Sequence, residues 1–172
     1  MQILGSLLFY ARTIDSPIII LLGAIASEQL NGTEATQKAS QKPLNYCATF
    51  LNAKLYYQES QIPLHTHGGA SYISAPKLII QVIFHFYLGK KTNYPNTNMH
   101  NGGIFVISGI LKTFMSSVAE AEFGGLFANT REVKLICATP EELRHKQFPT
   151  PIITYNSKES GIVNNTIKKH HS

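Results

Sequence analysis

LHTHGGASYIS, residues 64–74, places Leu64, Thr66, Ala70 and Tyr72 at the alternating spacing of a strand. Working outward from it, LIIQVIFHFYL (Leu78–Leu88) is a β-branched and aromatic run. Its length and near-continuous apolarity fit a central strand buried on both faces. GIFVISGIL (Gly103–Leu111) reads as a third strand, reached through a polar, Asn- and Thr-rich loop from Gly89 to Gly103. Three strands in succession fold most simply as an antiparallel meander.

SSVAEAEFGGL, from Ser116, opens a helix. The Ser117 hydroxyl can accept from the Glu120 amide while Glu120 reaches back to the Ser117 amide, a capping box that gives Glu120 a structural role. Ala119, Phe123, Leu126, Phe127 and Thr130 form the expected inward stripe, with Glu122 beside it at the boundary of core and solvent. Gly124 and Gly125 each cost about 1 kcal/mol of helix relative to Ala and suit a close approach to a sheet. Thr139-Pro140-Glu141-Glu142 predicts a second, short helix to about Lys146. Ile152-Ile153-Thr154 then reads as a short strand, and Asn156 with Glu159 as the start of a last helix through Ile162, Val163 and Ile167. A strand that returns after a helical crossover pairs parallel with an earlier strand of the same sheet. If that strand is the first, Gly69, Glu122 and Tyr155 come to one edge.

Upstream, residues 1–61 read as a helical segment: LGSLLFYA, a break at Asp15-Ser16-Pro17, the apolar IIILLGAIASEQL, and a further helix beginning near Thr33-Glu34 with Ala35, Ala39, Leu44, Cys47 and Leu51 as its apolar positions. Ala24-Ile25-Ala26 imitates a signal-peptidase site after the apolar Ile18–Ala26 run, which makes secretion a competing reading. Asp15, Pro17 and the second apolar run at Ile3–Tyr10 weigh against it, and neither run has the roughly 18 residues needed to span a bilayer. The expected setting is intracellular, with no membrane partner.

Fifteen Lys and Arg against ten Asp and Glu give a charge of +5 and a pI near 9.2, which favours polyanionic partners. The 44% hydrophobic content is enough for a real core. Cys47 and Cys137 are too few and too far apart for a disulfide framework or a metal knuckle and read as reduced, buried thiols. His65 and His67 share one side of their strand, a geometry that can bind Zn²⁺ with His85, His100 or His145 as a third ligand, though no spacing selects one. Lys90-Lys91 and Lys168-Lys169 read as solvated charge, and His170-His171 as a disordered end.

The three motifs, in this order, resemble the ribonuclease H-like domain of copia-type retrotransposon polyproteins. LHTHGGASYIS is similar to that family's strand carrying an Asp in an SDASY-like context, SSVAEAEFGGL to its SS-x-x-EAE-x-x-AL helix, and TYNSKESGIV to its DN-x-x-A segment. LGSLLFYAR and LNYCATF resemble the end of the preceding reverse transcriptase. The resemblance implies an α/β, ribonuclease H-like mixed sheet over residues 62–172 (three-strand meander, helix, parallel strand, helix). A small helical remnant of the polymerase, residues 1–61, precedes it, and the whole is a fragment.

The activity implied is hydrolysis of RNA in an RNA-DNA hybrid by two Mg²⁺ ions held on clustered carboxylates. Carried over residue by residue, Glu122 matches the helical Glu, Gly69 stands where the first Asp belongs, and Tyr155 stands in place of the Asp of DN. Ile83 and Phe84 occupy positions where the family has small residues. One carboxylate cannot hold two Mg²⁺ ions, so the expectation is an inactive descendant. A non-catalytic nucleic-acid-binding remnant stands beside it, and a secreted or zinc-binding protein is the less favoured alternative.

Overall fold

The computed structural model describes residues 2–75, 79–89, 100–154 and 156–164. Three helices, α1 (Gln2–Thr13), α2 (Ile19–Ser27) and α3 (Glu34–Thr49), precede the strands β1 (Leu64–Ala75), β2 (Ile79–Gly89) and β3 (His100–Leu111). α4 (Val118–Glu142), β4 (Ile152–Thr154) and α5 (Ser157–Val163) follow. The strands form one mixed sheet in the order β3-β2-β1-β4. β1, β2 and β3 are the expected antiparallel meander. β4 returns parallel to β1, with Thr66 opposite Ile152 and Gly68 opposite Thr154. The protein is therefore α/β, and β4 ends beside Gly68 and Gly69.

Alternation along the strands divides the core in two. On one face Leu64, Val82, Phe84 and Phe86 meet Val133 of α4. On the other, Val106 joins Ala11, Ile18, Ile19 and Leu22 of the N-terminal helical segment, with Ile83 against them. β2 is covered on both sides, which is why its sequence is apolar almost throughout. The run that imitates a signal-peptide core is part of this packing, since Ile18, Ile19, Leu22 and Ile25 are buried. Among the described residues no helix is long and apolar enough to cross a membrane.

α3 and α4 start where capping predicts and differ from expectation in their inner faces. Thr33 caps α3, its hydroxyl accepting from the Thr36 amide at 3.3 Å, and Thr36 and Pro43, not the expected alanines and leucines, are its buried residues. Leu51 lies beyond the helix and is exposed. α4 is rotated from the expected stripe. Ala121, Gly125, Asn129, Val133 and Pro140 face inward, while Ala119 and Phe127 are exposed. The small residues are inside because the helix lies close on β1: a Cβ on Gly125 would stand 3.0 Å from the Ala70 Cβ.

The separate helix expected at 139–146 does not form. α4 continues through Pro140 to Glu142. Proline is tolerated there because its missing N–H deprives only the Ile136 carbonyl, within the last two turns. The helix then stops at Arg144, whose φ of 66° is left-handed, with the His145 amide donating to the Pro140 carbonyl at 2.8 Å. β3 begins three residues earlier than expected, at His100, because its pairing with β2 reaches back into polar sequence, and β1 runs one residue past the expected stretch, to Ala75. Ile167, Lys90, Lys91, Lys168, Lys169, His170 and His171 lie outside the described residues.

Two contacts set the ends of the sheet. Ile62, at φ 59°, turns the chain into β1. Such a conformation costs a β-branched residue on the order of 1–3 kcal/mol. Gln147 holds it from both sides: its Oε1 accepts from the Leu64 amide at 3.0 Å and its Nε2 donates to the Ile62 carbonyl at 3.1 Å. At the other edge residues 56–58 lie along the start of β3. The Gly102 amide donates to the Tyr56 carbonyl at 3.1 Å, and Asn101 exchanges two 2.9 Å bonds with the Gln58 backbone.

Candidate functional site

α4 begins where its cap requires. The Ser117 hydroxyl accepts from the Glu120 amide at 3.2 Å. The Glu120 carboxylate does not return to the Ser117 amide as expected; it reaches one residue further, to the Ser116 amide at 2.7 Å and the Ser116 hydroxyl at 2.9 and 3.0 Å. These donors hold its carboxyl below the usual range. Glu120 is thus committed to the helix start, and Glu122 is left for the sheet. Glu122 is partly buried, and its Oε2 accepts from the Ala70 amide at 3.3 Å. Its carboxylate therefore sits at the backbone beside Gly69, as the topology anticipates. Tyr155, the third position of the expected site, lies outside the described residues.

A cavity of about 540 Å³ opens here, with Gly69, Ser71, His67, His85, Tyr87 and Glu122 in its wall. That volume is within the range of small-molecule sites. Behind it, between β1, α4 and β4, lies a void of about 10 Å³ bordered by Gly68, Glu122, Asn129 and Thr154, no larger than one water. Asn129, 1% exposed, accepts from the Thr66 hydroxyl at 3.0 Å, and its buried Nδ2 has no hydrogen-bond partner among the described residues. Sequence reasoning missed Asn129. A polar residue four positions after Gly125 was a legible sign that this face of the helix does something other than fill a hydrophobic core.

The donor set does not fit a pair of Mg²⁺ ions. Each ion takes about six oxygen ligands, whereas among the described residues here one carboxylate, already bonded to the Ala70 amide, faces a glycine. Among the described residues no three His, Cys, Asp or Glu side chains gather into a metal-holding group.

His65, His67 and His85 are on the same face of the sheet, His67 opposite His85 and His65 opposite Tyr87. The His85 ring is stacked with Tyr87 at 6.1 Å, and His67 meets the same ring edge-on at 5.5 Å. The Ser16 hydroxyl is 3.5 Å from His85 Nδ1. No third zinc ligand joins them among the described residues; His145 is exposed at the far end of α4. Burial, and then the neighbouring His67, push the His85 pKa below its usual 6.5.

This gives a pH dependence. Because the fold prefers neutral His85, its contribution is complete above pH 6.5 and is lost as pH falls from there toward the depressed folded value. The melting temperature of the wild type is expected to fall between pH 7.5 and pH 5 more steeply than that of His85→Phe. Equal slopes would refute the assignment.

Two further titratable clusters lie elsewhere. Asp15, read in the sequence only as a helix breaker, is 7% exposed and accepts from the Tyr46 hydroxyl at 3.3 Å, tying α3 to the α1–α2 junction. Burial and Asp15 together raise the Cys47 thiol pKa, the opposite of an activated nucleophile. Cys137 Sγ lies 3.3 Å from the Thr150 hydroxyl. Both thiols are free and half-buried instead of fully buried.

Comparison of the chain with protein-family models, with curated proteins and with solved structures finds no match.

Proposed function

We propose that this chain is a ribonuclease H-like domain of copia-type retroelement descent that has lost hydrolysis of RNA-DNA hybrids. One observation carries the reading: the Glu122 carboxylate meets β1 at the Ala70 amide, beside Gly69, where β4 ends its parallel pairing with that strand. The strand order β3-β2-β1-β4, with α4 crossing from the meander to β4, agrees with it. So does the order of the three motifs.

In a working member of the class, carboxylates from the first strand, the helix and the fourth strand would together hold Mg²⁺, and the metal would supply an activated water and neutralise the leaving oxygen. Gly69 offers no ligand. Glu122 keeps its place, but as a hydrogen-bond acceptor for the backbone. Losing members of such a unit costs about four to six orders of magnitude in rate. The charge of +5 leaves room for retained binding to a phosphate backbone.

The test is cleavage of a labelled RNA-DNA hybrid with Mg²⁺ or Mn²⁺, with binding followed in the same samples. The wild type and Glu122→Gln are both expected at the level of the blank. Cleavage that Glu122→Gln abolishes would overturn the reading. Binding that weakens with rising salt identifies a nucleic-acid-binding remnant, and no binding leaves a fold that has lost its ligand along with its chemistry.

A further inference from the structure

β3 is an outer strand of the sheet, bonded to β2 on one side only. The chain at residues 56–58 covers the other side as far as Gly103, through the Tyr56, Gln58 and Tyr57 contacts. Beyond it, among the described residues, no backbone hydrogen bond reaches the outer edge of Ile104–Leu111. Natural edge strands are commonly protected by charge, by proline or by a bulge that turns the edge away. IFVISGIL, residues 104–111, contains no Asp, Glu, Lys, Arg or Pro; its register with β2 is irregular at Ile104, between Gly103 and Phe105, and regular from Phe105 to Leu111. Ile104, Phe105 and Ile110 are exposed at 37, 42 and 50%.

We infer that this edge is a dimer interface: β3 pairs antiparallel with β3 of a second copy about a two-fold axis at Ile107, joining two four-stranded sheets into one of eight. The sequence is self-complementary in that alignment. Ile104 comes opposite Ile110 of the partner subunit, on one face of the joined sheet. On the other face Phe105 comes opposite Gly109 of the partner subunit. A Cβ on Gly109 would meet nothing within 4 Å, so the ring has open space to cover. An aromatic side chain laid over an unprotected glycine is a recognised way to stabilise a sheet. The two-fold repeats each pair, as an isologous contact must. The absence of charge along the strand also lets two copies of a protein of net charge +5 approach here without opposing like charges. None of this depends on the nucleic-acid reading.

The experiment is sedimentation velocity on the full chain up to about 0.2 mM, with two matched double variants whose fold is checked by circular dichroism. The wild type is expected to dimerise reversibly. Ile104→Lys with Ile110→Lys sets like charges opposite each other twice across the axis and is expected to be monomeric. Ile104→Lys with Ile110→Glu sets opposite charges there, and is expected to dimerise at least about tenfold more tightly than the first double variant. A wild type that stays monomeric, or two double variants that associate equally, would overturn the inference.

Discussion

Gly68→Ala is expected to lower the unfolding free energy by about 2–3 kcal/mol in urea titration. A methyl group at this position would stand 2.5 Å from Asn129 Nδ2 and 2.9 Å from Phe84 Cδ1. Neither neighbour can retreat easily, because Asn129 is 1% and Phe84 2% exposed. The amide is also held at its other end by the Thr66 hydroxyl. Movement of the Asn129 amide would therefore break that bond and leave two buried polar groups unsatisfied, where relief of the overlap alone would have cost less. Gly103→Ala is the control: its methyl would meet only ordinary contacts at 3.7 and 3.9 Å, and a change within about 0.5 kcal/mol is expected. Equal effects at the two glycines would show that flexibility, not the close approach of α4, accounts for Gly68.

Phe86→Ala is expected to have the largest effect of any single substitution in the sheet, about 3–5 kcal/mol. Phe86 is fully buried on the central strand, in the cluster with Leu64, Val82, Phe84 and Val133, and its ring is 6.0 Å from that of Phe105. The neighbours come from both strands beside it and from α4, so the hole cannot close by the shift of one element. A loss of this size is a large part of the roughly 5–15 kcal/mol that a domain has in total. In thermal unfolding it corresponds to a fall of about 6–20 °C. Phe86→Leu, which keeps most of the volume, should fall well short of that. A Phe86→Ala protein that melts within a few degrees of the wild type would mean that this cluster does not dominate stability.

The sheet was legible because its signals are local. The apolar runs at 78–88 and 103–111, the Ser117 cap and the short Ile152–Thr154 run each mark an element without reference to the rest of the chain. The position of Glu122 beside Gly69 followed once β4 was placed parallel to β1. The inner face of α4 was not legible. Hydrophobicity favoured Phe123 and Phe127, but the helix packs on the small residues Gly68 and Ala70 of β1, so closeness selects Ala121, Gly125 and Asn129 and leaves Phe127 in water. Pro140 misled for a related reason: the signal for a helix start and the tolerance of a helix end look alike at one residue. The facing of His67 and His85 depends on how β1 and β2 align, which neither strand states alone.

That alignment has an unusual basis. Shifting a strand by one residue turns every side chain to the opposite face, and an apolar stripe commonly forbids it. LHTHGGASYIS has little stripe to lose beyond Leu64 and Ala70. What a slip of β1 would forfeit is the bond from the Thr66 hydroxyl to Asn129 Oδ1. The slip that sets His67 in the place of Gly68 would also bring a side chain to where Asn129 and Phe84 leave no room even for a methyl. The frame of the strand is thus kept by Leu64, by one hydroxyl and, against one of the two slips, by the side chain that Gly68 lacks.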